Sequence, residues 1–80
     1  MYYWVNQEHE MNNLKIIREN VGLTQYELAQ KINVTKASVS NYETGFRKPS
    51  IQVAQKIAIA ISESGFTCSV DDVFPYKQAS

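Results

Sequence analysis

Lys36, Ala37, Ser38, Ser40 and Asn41 fall in one short run, KASVSNYETG, in which Val39 and Tyr42 are the only large apolar residues. In a helix, Val39 and Tyr42 share one face and the small and polar residues are left on the other. Those side chains match what base-pair edges present. Lys36 can donate to guanine O6 and N7, Asn41 can pair in two places with adenine, and Ala37 can lie against a thymine methyl. Ser40 suits either a base or a phosphate. Gln25, Thr35, Ser38, Arg47 and Lys48 suit phosphate oxygens, which position a duplex without reading it. The competing reading is that Lys36, Ser40 and Asn41 merely solvate a surface helix.

Catalytic chemistry finds little support. His9 is the lone histidine and Cys68 the lone cysteine. Asp71 and Asp72 suit the start of a helix, where its dipole favours acids. No phosphate-binding glycine loop or metal-ligand spacing occurs, so neither an enzyme nor a cofactor is expected. One cysteine excludes an internal disulfide.

The candidate residues need a frame. Thr24 and Glu27 have capping-box spacing and predict a helix over 25–32, with Leu28, Ala29 and Ile32 inward. Asn33 marks a sharp turn, since Asn tolerates a left-handed backbone. Thr35 can cap the next helix, Lys36–Glu43, which Gly45 stops. Upstream, Leu14, Ile17 and Val21 recur at helical spacing and predict a helix from about Glu10 to Val21. Arg18 falls on that apolar face, so it either snorkels to solvent or meets a buried acid. Downstream, Ser50 can cap a strongly apolar helix from Ile51 to about Ser62. Ser69 and Asp72 repeat the capping logic before a short last helix closed by Pro75. The chain thus reads as all-α with five helices.

These residues resemble the lambda-type phage repressor/Cro (XRE) helix-turn-helix family. The resemblance rests on Gln25, Leu28-Ala29, Ile32-Asn33-Val34, Val39, Tyr42, Glu43 and Gly45. It extends to Leu14–Arg18, Gly22–Gln25, Pro49-Ser50 and the helix over 53–61, and so covers roughly residues 11–74. Asn33 stands where the family usually has Gly, the link 62–68 is longer than usual, and residues 1–10 have no counterpart. The resemblance implies a compact lambda-repressor-like domain and sequence-specific regulation of transcription. It implies that Lys36, Ala37 and Asn41 face bases, while Gln25, Ser38, Arg47 and Lys48 approach the backbone. It also implies an ion pair between Arg18 and Glu43. An acid at the end of a helix opposes the dipole unless something offsets it, which points the same way. A Cro-like or prophage-type repressor is the leading expectation. A DNA-binding antitoxin and a protein-interaction module without DNA binding are the alternatives.

Eight basic and eight acidic residues give zero net charge, which argues against indiscriminate nucleic-acid binding. The distribution differs: Lys31, Lys36, Arg47, Lys48 and Lys56 face only Glu43 between residues 31 and 56. Local charge, not the total, decides phosphate contact. Eighty residues make one small domain, and association often helps so limited a core. No apolar run is long enough to span a membrane, and a cytoplasmic chain is expected. The expected partners are a near-palindromic duplex and a second copy, meeting through Ile59, Phe66 and the region of Phe74. Residues 75–80 read as a tail. Tyr2, Tyr3 and Trp4 crowd the first ten residues. They suit a strand, a cover over the core, a dimer contact, or an extension ahead of a start at Met11.

Overall fold

A computed structural model describes residues 12–75; the readings of residues 1–10 and most of the tail lie outside them. Five helices follow one another: α1 (Leu14–Asn20), α2 (Gln25–Ile32), α3 (Lys36–Thr44), α4 (Ile51–Glu63) and α5 (Val70–Val73). The expected all-helical architecture is present, and no strand occurs among the described residues.

Capping sets the boundaries. Thr24 Oγ1 accepts from the Glu27 amide at 3.0 Å, and Glu27 Oε1 accepts from the Thr24 amide at 2.9 Å. Two of the amides orphaned at a helix start are satisfied this way. Ser69 and Asp72 form the same reciprocal pair ahead of α5. Ser50 Oγ accepts from the Val53 amide and starts α4. Asn33 ends α2 with φ 61° and ψ 47°. The turn is closed by Asn33 N–H to Gln30 O and Val34 N–H to Ala29 O, a Schellman arrangement.

α1 is shorter than its periodicity predicts, beginning at Leu14 rather than near Glu10. Asn12 is the cause. Its Oδ1 accepts from the Leu14 amide at 3.0 Å, offering the backbone an alternative to another helical turn. Its Nδ2 donates to the Tyr42 carbonyl at 2.7 Å, so the start of α1 is fixed to the last turn of α3. The Asn13 amide and side chain donate to the carbonyls of Val73 and Asp72, fixing the same start to α5. The long link after α4 is closed by Ser62, whose hydroxyl accepts from the Cys68 amide and donates to the Cys68 carbonyl, both at 3.3 Å.

One core unites the helices. Leu14 and Ile17 of α1, Leu28, Ala29 and Ile32 of α2, Val39 of α3, Ile57, Ala60 and Ile61 of α4 and Val73 of α5 are buried together. Each fully buried Leu or Ile contributes about 1.5–3 kcal/mol relative to exposure. Ala29 is small enough for α2 to be approached closely on two sides, by α3 and α4. α4 is apolar beyond what its core face uses: Ile51 and Ile59 remain exposed.

Candidate nucleic-acid interface

α3 is held from below and open above. Val39 is fully buried and Tyr42 packs against the core. Lys36 and Ala37 are exposed at its first turn, and Ser38, Ser40 and Asn41 are half-buried. The side chains of Lys36 and Asn41 make no hydrogen bond among the described residues. Thr35 is committed to the helix start. Its Oγ1 accepts from the Ser38 amide at 3.0 Å and donates to Ser38 Oγ at 2.9 Å.

The loop after α3 folds back onto it. Arg47 N–H donates to the Asn41 carbonyl at 3.2 Å, and Thr44 Oγ1 donates to the same carbonyl while accepting from Phe46 N–H. Arg47 and Lys48 are exposed beside the end of α3. The loop thus ties the Arg47 backbone to Asn41.

Below this surface lies the ion pair. Arg18 and Glu43 are both buried, at 6% and 5% exposure. Arg18 Nε donates to Glu43 Oε2, and Nη2 donates to Oε1 at 3.3 Å. Nη1 donates to the Leu23 carbonyl at 2.7 Å, so the guanidinium is well satisfied. A two-pronged arginine–carboxylate pair fixes orientation as well as distance. Burying Glu43 also removes the one acid between Lys36 and Lys48 from the outer face.

Two sequence readings are refined. Gln25 is drawn into this pair, with Nε2 donating to Glu43 Oε1 at 2.9 Å. Its backbone N–H and second amide hydrogen remain for a phosphate at the start of α2, where the helix dipole favours an anion. The five cations also do not form one patch. Lys31 and Lys56 line a cleft between α2 and α4, together with Ile32, Asn33, Ile59, Ala60 and Glu63.

Tyr26 and Phe46, exposed at 59% and 70%, are large apolar surface residues that the sequence reading did not single out. Tyr26 follows Gln25 at the start of α2, and Phe46 precedes Arg47. The signal for Tyr26 was its position off the Leu28–Ile32 face. Among the described residues no cluster of His, Cys, Asp and Glu can hold a metal ion. No described helix is long and apolar enough to cross a membrane.

A helix-turn-helix family profile matches residues 14–64, spanning α1 to α4. The chain is 33% identical over 64 residues to antitoxin HipB of Escherichia coli O6:H1, covering 80% of this chain and 68% of that protein. An HTH-type transcriptional regulator of Methanothermobacter thermautotrophicus is 35% identical over 57 residues, covering 71% and 77% of the two chains. Another, from Methanocaldococcus jannaschii, is 35% identical over 66 residues, covering 82% and 92%. With its capped α2, left-handed Asn33 turn and anchored α3, the chain belongs to the XRE-type helix-turn-helix family.

Proposed function

We propose that the protein is a sequence-specific regulator of transcription that binds double-stranded DNA and lays α3 in the major groove. The observation that carries this is α3 itself: anchored on one face by Val39 and the Arg18–Glu43 pair, it leaves Lys36 and Ala37 exposed and Ser40 and Asn41 partly exposed on the other. Those residues read bases. Ser38, Thr35, Gln25, Arg47 and Lys48 hold phosphates, Thr35 through its hold on Ser38. The likeness to two HTH-type transcriptional regulators supports the regulatory role. The chemistry is binding, not catalysis, and the setting is the cytoplasm.

One recognition helix reads too few base pairs to find a site among genomic competitors. Two copies related by a two-fold axis multiply the discrimination and require a near-palindromic operator. Their half-site centres lie about 34 Å apart, one turn of the duplex. Selection of bound sequences from random duplex DNA, followed by analytical ultracentrifugation on the selected site, tests both points. The expected result is an inverted repeat holding two chains. Failure to enrich any sequence would overturn the regulator, and one chain on an asymmetric site would overturn the dimer.

The likeness to HipB favours a second reading, a DNA-binding antitoxin. It keeps the same α3 contacts and adds a toxin partner. Co-expression separates the two: an antitoxin relieves the growth arrest caused by its toxin, and a simple repressor does not.

A further inference from the structure

The cleft between α2 and α4 has a volume of about 320 Å³ and contains none of the residues assigned to DNA. Ile32 and Ala60 lie buried in it, Ile59 is 57% exposed, and Lys31, Lys56 and Glu63 are exposed around them. Along α4 the exposed residues Gln52, Lys56, Ile59 and Glu63 follow at spacings of four, three and four. That is the seam spacing of helices that pack side by side.

We propose that this face receives a second copy of the chain, with the two α4 helices antiparallel across a two-fold axis passing between Ile59 and Ala60. Lys56 and Glu63 lie equally far from that axis along the helix. Antiparallel pairing therefore sets Lys56 of each copy opposite Glu63 of the other, twice over. Parallel pairing would set Lys56 against Lys56 and Glu63 against Glu63. The charge pattern selects the antiparallel arrangement. Ile59 sits at the centre, where the two copies bury it against each other and against the apolar lining of the cleft. Within one chain Lys56 and Glu63 are about 10 Å apart along the helix, and neither has an ion-pair partner among the described residues.

The contact is small. A helix of 13 residues is about 20 Å long, and one such face buries less than the roughly 1,200 Å² of a standard interface. The dimer is accordingly weak in free solution and is strengthened when an operator holds two copies side by side. This inference rests on the dimer reading above and names its face.

The full chain, Lys56→Glu and Glu63→Lys are compared by sedimentation, free and on the selected operator, together with an equimolar mixture of the two variants. Each variant alone places like charges across the axis and associates more weakly, on the order of tenfold. In the mixture each acidic pair meets a basic pair, and association returns. Helical melting is unchanged, since both positions are exposed. A return on mixing has no explanation within a single chain. Unchanged association of either variant, or a mixture no better than its parts, overturns this face. If two chains still occupy the operator in that case, the dimer reading survives without it. One chain per operator throughout overturns both.

Discussion

The side-chain amide of Gln25 donates to Glu43 at 2.9 Å and joins the first residue of α2 to the last turn of α3. The two helices of the motif are thus tied by a polar contact as well as through the core. Hydrogen bonds to charged groups contribute roughly 1.5–3 kcal/mol, and Gln25 is half-buried. Gln25→Ala is expected to cost about 1.5 kcal/mol in urea unfolding. Gln25→Glu sets a carboxylate against Glu43 and is expected to cost more, which the same unfolding curves will show.

Removing either member of the Arg18–Glu43 pair leaves a charge buried without its partner. Arg18→Met and Glu43→Leu are each expected to cost about 3–5 kcal/mol. An apolar replacement of both, Arg18→Met with Glu43→Leu, is expected to cost clearly less than the sum. A double-mutant cycle by chemical denaturation measures the difference. Additive costs would mean that the two charges act independently.

Asn33 carries the sharp turn with a positive φ of 61°. Asn and Gly tolerate this region, while Ala incurs a penalty of about 1–2 kcal/mol. Asn33→Ala is expected to lower stability by about that amount and Asn33→Gly to leave it nearly unchanged. Thermal melts of the two variants decide between this and an effect of the lost side chain, which would lower both.

Reading and holding should separate on DNA. Asn41→Ala is expected to weaken the selected site by about 1–3 kcal/mol and relax preference at one or two base pairs. Lys48→Ala is expected to weaken all sequences alike and make the salt dependence shallower by about one unit. Titrations at several salt concentrations, on selected and random duplexes, give both quantities. An Asn41→Ala loss shared equally by random DNA would move that residue to the backbone.

Cys68 is held as a thiol. Burial pushes its pKa up, the neighbouring Ser62 hydroxyl opposes this, and the nearby Asp72 carboxylate adds to the rise. A group whose folded pKa is raised contributes stability below its unfolded value and loses it as pH rises through the folded one. Alkylation at mildly alkaline pH is therefore expected to be slower in the folded chain than in urea. Stability should fall as pH climbs through the raised value, and Cys68→Ser should remove that dependence.

The motif was legible because its signals are local. Thr24 with Glu27, Asn33, Thr35 and Gly45 each act within a few residues, and α2 has the bounds that they predict. α3 and α4 each run one residue further than expected, to Thr44 and Glu63, a difference of fraying ends. What was not legible is tertiary. Asn12 is tied to Tyr42, and Gln25 is drawn to Glu43; neither partner is near in sequence. The splitting of the five cations into two groups had the same origin. Proximity in sequence cannot say that Lys31 and Lys56 line one cleft between α2 and α4.

The hydrogen bond from the Asn13 amide to the Val73 carbonyl, 3.0 Å long, sets the two ends of the described fold side by side. The domain is therefore nearly a closed ring, and the order of its helices along the chain is not dictated by their packing. Joining the ends and opening the ring at the exposed Gly65 would yield a rearranged chain with the same neighbours in space.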